Sequence, residues 1–298
     1  MSVNLPTHYV SQFSTNLAML LQVKGGKFRN AVTSGSYVGK AASPVDQFGK
    51  VEMQTVTSRF APMGRVDATT DRRWVYPSDF DLPQLIDSFD KLRLITDPTS
   101  IYVQNAVMAA GRKFDSLIIS AFGATAKTGE TGATSTVAVA GNEVDVATGG
   151  SNSRLNVQKI KAVRELMETN YVDFESEEAF IGITAKDHSA LLDDIQVISS
   201  EFKNGDAPIL KDGRITNFLG FNFVQSELIE TVLAGTNEVT LPVWVKSGMH
   251  LGIWNEMENV VSQRADLQGM PWQLYTKMTA GATRLEENKV YAIESYRA

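Results

Sequence analysis

TTDRRWVYPSDFDLPQLIDSFDKLRLITDPTSIY, residues 69–102, holds two unlike messages in one run. Its first part sets Arg72, Arg73, Trp74 and Tyr76 between Asp71 and the pair Asp79 and Asp81. Arginine interleaved with aromatics builds a nucleic-acid platform or a protein–protein hot spot. The plainer alternative is a charged strand with its tryptophan in its own core. The second part opens a helix: Asp97 caps free N–H groups, and Pro98 sits where a missing N–H does no harm. Val103, Val107, Ala110, Phe114, Leu117 and Ala121 then recur at spacings of three and four, which predicts a helix over about 98–122. At 1.5 Å per residue such a helix runs roughly 37 Å, the length of an architectural spine.

Working outward, KVEMQTVTSRF (50–60) alternates as a strand does, yet neither face is strongly apolar. With the Pro62–Gly64 turn and residues 69–82 as the return strand, it predicts an extended hairpin that cannot bury itself. Such a hairpin requires another chain or domain beneath it. Residues 30–50 are rich in Gly, Ser and Ala and read as a strap. Val10, Phe13, Leu17, Leu20 and Leu21 predict an amphipathic helix over 9–23, ended by Gly25 and Gly26.

Beyond the spine, STVAVAGNEVDVATGG (135–150) predicts a small hairpin about Gly141-Asn142. An α/β pattern follows. A helix is expected from about Asn156 to Thr169, with Ile160, Val163 and Met167 on one face, then the strand AFIGIT. Asp187 is read as the cap of a short helix, DHSALLDD, and turns at Asn204-Gly205 and Asp212-Gly213 lead to a strand, FLGFNFV. Three or four more strands run from Val239 to the end.

The chain has 298 residues, 43% hydrophobic and 21% charged, which is a globular composition. It lacks cysteine, so disulfides and thiolate metal sites are excluded. Neither a signal-peptide plan at MSVNLPTHYVSQF nor a membrane-length apolar run is visible, so the expectation is a soluble chain that is not secreted. Net charge is −6, unevenly spread: residues 1–66 carry seven bases and two acids, leaving −11 on the rest. The bases (Lys24, Lys27, Arg29, Lys40, Lys50, Arg59 and Arg65) are spaced singly, which suits a protein surface better than a phosphate-binding tail.

Common catalytic signatures such as G-x-S-x-G, H-E-x-x-H and the P-loop do not occur. KGGK (24–27) and GRK (111–113) look phosphate-friendly, but the first lacks a preceding strand and the second lies inside the spine helix. His188 with Asp187, Asp193 and Asp194 is the strongest catalytic lure. On a short helix these residues read first as a cap and solvated end charges. Trp244, Trp254 and Trp272 are expected in cores, whereas Trp74, with charged flanks, is open to either role.

These features resemble the major capsid proteins of tailed bacteriophages, which share the α+β HK97-like capsid fold. The resemblance is carried by YVSQFSTNLAMLLQVKGGKFRNAV and GSYVGKAASPVDQFG, by residues 72–102 with GRKFDSLIISA (111–121), and by LLDDIQVISSEF, FLGFNFVQSE and GATRLEENKVYAIES. It implies an N-terminal arm at 1–37, an E-loop at 38–80, and a P-domain at 81–150 with return strands at 256–298. The A-domain, with a central β-sheet, falls at 151–255. The implied function is a shell of hexamers and pentamers around phage double-stranded DNA, assembled in the host bacterial cytoplasm and residing in the virion. Lys27, Arg29, Arg59, Arg65, Arg72, Arg73, Trp74 and Tyr76 become candidate subunit-interface residues, with the arginines of the opening stretch aimed at a neighbour's carboxylates. Other copies of the chain are the main partners. A separate scaffolding protein, because the arm starts so near Met1, and portal and decoration proteins are further ones. DNA contact is expected to be non-specific, and no cofactor, metal or membrane is implied. Two rival readings remain: an encapsulin-type nanocompartment shell, and an α/β enzyme using His188.

Overall fold

The computed structural model describes residues 25–56, 58–59, 64–86, 99–132, 135–137, 141–194, 210–211 and 214–297. The helix expected at 9–23, the Asp97-Pro98 start and the turns at 204–205 and 212–213 lie outside them. The first half contains β1 Thr33–Ser36, β2 Ala42–Phe48, β3 Thr70–Val75, β4 Ser78–Ile86, α1 Thr99–Gly123, β5 Ala126–Thr128, β6 Ser135–Val137 and β7 Glu143–Val144. Next come α2 Val157–Thr169, β8 Ala179–Ile183, α3 Ala185–Leu192, β9 Leu210–Lys211, β10 Arg214–Ile215, β11 Asn217–Phe218 and β12 Phe221–Gln225. The last part holds α4 Leu228–Val232, β13 Glu238–Val245, β14 Met249–Gln263, β15 Trp272–Arg284 and β16 Val290–Tyr296.

The spine α1 has 25 residues, as its periodicity predicts. Its buried line is Ala106, Ala110, Phe114, Ile118 and Phe122, steps of four, with Ile119 beside it. Val107, expected inside, is 48% exposed. At 3.6 residues per turn a line of steps of four drifts slowly around the helix, so α1 follows β14 and β15, against which it packs.

β14 and β15 form a long antiparallel ribbon, flanked by β4 on β15 and by β1, parallel, on β14. A six-stranded mixed sheet, β11-β12-β8-β13-β16-β7, makes the second layer. All five residues of β8 are buried, which marks a central strand covered on both faces. Ile181, Leu241, Val243, Trp244 and Ile293 of this sheet share one core with α1 and with Ile160, Val163 and Met167 of α2. Trp244 reaches the strap, its indole donating to the Ala31 carbonyl at 2.8 Å while its ring lies 5.7 Å from Phe28. Trp254 and Trp272 are only half-buried.

Several local expectations are corrected. Residues 69–82 are two strands, not one: β3 joins β2 and β5, whereas β4 joins β15. The break falls at Tyr76-Pro77, where proline has no N–H to donate and the Tyr76 carbonyl crosses β15 at Gly281, 2.1 Å from where a Cβ would stand. The hairpin ladder stops at Phe48↔Thr70, and residues 51–56 pair with no strand among the described residues. The two halves of STVAVAGNEVDV do not pair with each other: β6 joins β5, and β7 joins β16 in the other sheet. FLGFNFV is split by a two-residue turn, because Leu219 and Gly220 both take positive φ and reverse the chain. Thr184, not Asp187, caps α3, and its side chain accepts from the Asp187 N–H.

The two glycine-rich phosphate lures meet. The chain leading into the strap crosses the spine where Gly25 lies on Gly111, and a Cβ on Gly25 would stand 1.9 Å from the Arg112 nitrogen. Gly26 N–H donates to the Gly111 carbonyl at 3.1 Å. Asp115, fully buried one turn on, accepts from the Lys27 and Phe28 N–H groups at 3.2 and 3.0 Å. Burial pushes the Asp115 carboxyl up, and these backbone bonds only partly offset that. The glycines therefore serve close packing of two backbones. Gly111→Val is expected to lift the strap and cost about 1–3 kcal/mol by overpacking. Trypsin cleavage after Lys27 or Arg29 should quicken in this variant, and an unchanged cleavage rate would contradict the crossing.

Candidate assembly surface

The base of the hairpin is built on β3. Alternation along this strand sends Arg73 and Val75 inward and leaves Arg72 and Trp74 half-exposed on the other face. Arg72 pairs with Asp46, its cross-strand neighbour, through two bonds of 2.6 and 3.2 Å. That hydrogen bond holds the Asp46 carboxyl below its ordinary range. Asp71 ties the hairpin to β5, the next strand of the same sheet, accepting from the Thr128 hydroxyl and, at 3.0 Å, from Gly129 N–H, and these bonds lower its pKa.

Arg73 is the main departure from expectation. It is 3% exposed; its Nε donates to the Leu285 carbonyl at 2.9 Å, and Nη2 lies 2.5 Å from Glu287. The carboxylate it was expected to find on a neighbour stands in its own chain, 214 residues away. Trp74 donates its indole N–H to the Gly129 carbonyl at 2.7 Å, beneath the Arg72 guanidinium at 5.8 Å. Tyr76, exposed, places its hydroxyl 3.5 Å from the Thr131 carbonyl. All four residues thus find partners within their own chain, and Arg72, Trp74 and Tyr76, but not Arg73, keep an outer face open.

Further out, Arg65 pairs with Asp67 at 2.8 Å, and both Arg59 and Arg65 are exposed. Lys27 donates to the Gln225 carbonyl at 2.7 Å. Arg29 pairs with Glu256 and stacks 5.6 Å above Phe114, so the basic strap lies on the acidic body of its own chain. Reasoning from sequence missed the apolar side chains the hairpin presents: Phe48 is 75% exposed, Val56 85% and Met53 fully so. Their signal was available in the valine and methionine alternation at 51–56, discounted because polar residues share both faces.

The catalytic lure dissolves. Asp187 is fully buried and held by Arg297, Ser295 and Thr184. Asp194 points at the Val157 N–H, 3.3 Å away, and His188 Nε2 lies 3.4 Å from the Ile215 N–H. Among the described residues no group of three His, Asp or Glu could hold a metal ion. Nor is any described helix long and apolar enough to cross a membrane.

Residues 5–296 match the family model described as phage capsid protein. Comparison with curated proteins returns no match. Among solved structures, the capsid of cyanophage P-SCSP1u superposes with a TM-score of 0.72 at 14% identity, covering 98% of this chain and 93% of that one. The cyanophage Pam1 capsid gives 0.72 at 10% identity, covering 100% and 99%. Mycobacterium phage Che8 gives 0.62 at 14%, covering 97% and 98%. At such identities the superpositions speak for the fold, and the family model speaks for descent. The chain belongs to the phage capsid protein family, with the α+β HK97-like capsid fold of a structural shell protein.

Proposed function

We propose that copies of this chain gather into hexamers and pentamers that close an icosahedral shell around phage double-stranded DNA. The observation that carries this reading is the hairpin beyond Phe48↔Thr70, whose Phe48, Met53 and Val56 side chains stand in solvent. An extended segment with apolar side chains on show and no described strand beside it is unfavourable until a neighbour covers it. In this reading the arm is 1–37, the E-loop 38–80, the P-domain 81–150 with 256–298, and the A-domain 151–255. Contacts of this head-to-tail kind make a closed shell when the rotations around each axis close.

Lys27, Arg29, Arg59, Arg65, Arg72, Trp74 and Tyr76 are the polar and aromatic contacts offered to neighbours. Arg73 acts indirectly, by fixing the direction of the hairpin. The role is non-enzymatic, so His188→Ala leaves assembly unchanged. With −11 on residues 67–298, contact with packaged DNA is non-specific and weak. Scaffolding, portal and decoration proteins complete the partner set, and assembly proceeds in the host bacterial cytoplasm. The encapsulin alternative is not favoured, because the matching family is that of phage capsids.

The double substitution Met53→Asp, Val56→Asp tests the reading. The isolated chain should keep its stability to within about 0.5 kcal/mol, since both sites are exposed. Shells seen by negative-stain microscopy and sedimentation should fall at least about tenfold, because charge in a covered apolar contact is costly. Shell formation at the normal yield would refute the hairpin's role.

A further inference from the structure

The end of the arm, Thr33–Tyr37, pairs along β14 and sets two of its side chains on one imidazole. β1 runs parallel to β14 with Thr33 opposite His250, and Tyr37 N–H continues the pairing onto the Ile253 carbonyl at 2.9 Å. His250 is 6% exposed, and both ring nitrogens meet hydroxyls of the strap: Nδ1 is 2.9 Å from Thr33 Oγ1, and Nε2 is 2.9 Å from Tyr37 Oη. Thr33 and Tyr37 reach the same ring because alternation puts 33, 35 and 37 on one face and residue 35 is glycine. A Cβ there would stand 2.6 Å from the Tyr37 hydroxyl.

The protons on these groups are determined. The Thr33 hydroxyl donates to the Met249 carbonyl at 2.8 Å, so its oxygen accepts, and His250 Nδ1 carries the ring proton. Nε2 is then bare and accepts from the Tyr37 hydroxyl. A second proton, on Nε2, turns this bond around, strands the Tyr37 proton and places a cation against two neutral hydroxyls. On the other neighbouring strand, β15, Thr283 stands opposite the ring and is also neutral. Behind it lies a cavity of about 900 Å³ whose charged lining is Lys50, Asp71, Arg73, Glu286, Glu287 and Lys289. Arg73 is paired with Glu287, and Lys289 lies 3.0 Å from Glu177 and 3.6 Å from Glu286, so acids and bases there largely cancel.

We propose that His250 is a proton-operated latch: neutral, it holds Thr33–Tyr37 on β14, and doubly protonated it lets that strap go, freeing arm and hairpin to change direction together. Burial supports the sense of the switch, since it pulls the imidazole from 6.5 down to about 4 in the docked state. Docking is therefore at full strength above about pH 6.5 and weakens as pH falls toward 4. The loss is about 30-fold by pH 5 and approaches about 300-fold at lower pH.

Hydrogen exchange of the full chain, with labelling times corrected for pH, reads this directly. Protection of the amides of residues 34–37 should fall about 20-fold between pH 7 and pH 5, while amides of β8 stay protected. His250→Gln, which keeps a polar side chain but does not titrate, should abolish that pH dependence. Exchange of the imidazole C2 proton in the unaltered chain provides a second measurement that needs no variant. It should report a His250 titration below about pH 5. Strap protection that is flat between pH 7 and pH 5, a slope that survives in His250→Gln, or a His250 titration near 6.5 would each overturn the latch.

Discussion

Arg73→Glu should lower the stability of the isolated chain by about 3–5 kcal/mol, the scale of breaking a buried ion pair from one side. The guanidinium is nearly sealed from solvent, and its bonds reach the Leu285 carbonyl and Glu287 in the turn between β15 and β16. A glutamate there faces Glu287 with a second negative charge and removes one of the two donors to the Leu285 carbonyl, leaving only the Gln47 amide. An arginine that served only a neighbour would give a different result, a change within about 0.5 kcal/mol in the isolated chain. Denaturant unfolding of the unassembled protein separates the two. Arg73→Glu with Glu287→Arg should recover part of the loss, while Arg72→Glu, on the exposed face, should leave the fold nearly intact. Shell yield should fall in the Arg73 variant because the hairpin loses its direction. A wild-type unfolding midpoint for Arg73→Glu would eliminate this account.

Arg297→Ala should cost a similar amount, about 3–5 kcal/mol, because it strands a buried carboxylate. Arg297 grips Asp187 through two bonds of 3.0 and 2.5 Å, with the Thr184 hydroxyl at 2.6 Å and the Ser295 hydroxyl completing the shell. Close by, the fully buried Lys159 gives its ammonium protons to the Ser153 and Glu294 carbonyls, and burial pulls its pKa down to about 8. Burial alone pushes the Asp187 carboxyl up, but bonds from Arg297, Ser295 and Thr184 outweigh it and leave the pKa below 3.8. The sign follows. Asp187 contributes stability above the unfolded value of 3.8, and that contribution is lost as pH falls through its lower folded value. Without Arg297 the carboxyl prefers its proton, so the deficit of the variant should be largest above about pH 5 and shrink in acid. Unfolding curves of both proteins between pH 7 and pH 3 test this. A deficit that does not vary with pH would mean that Asp187 is not the group stranded.

Both helices with strong periodicity were legible. The spine, expected over 98–122, is Thr99–Gly123, and the helix expected from Asn156 is Val157–Thr169 with Asn156 as its cap. The strand AFIGIT and the four strands after Val239 were legible for the same reason. Periodicity and capping act between residues a few positions apart, so a short window contains the whole interaction. Pairing was not legible. Nothing within STVAVAGNEVDV says that its halves belong to different sheets, because β5 and β16 make that choice.

Short-range pattern was enough for the spine and for the family resemblance that the comparisons bear out, whereas the strand expected at 50–60 is unpaired over 51–56 and β2 takes its place beside β3. Tertiary structure alone decided where the charges of TTDRRWVYPSDFDL go. Arg73 turns inward to Glu287, Arg72 stays outside with Asp46, and Pro77 turns the chain from one sheet into the next. The physical reason is that an ion pair depends on distance and burial, and both are set by segments folded over from as far as 214 residues along the chain.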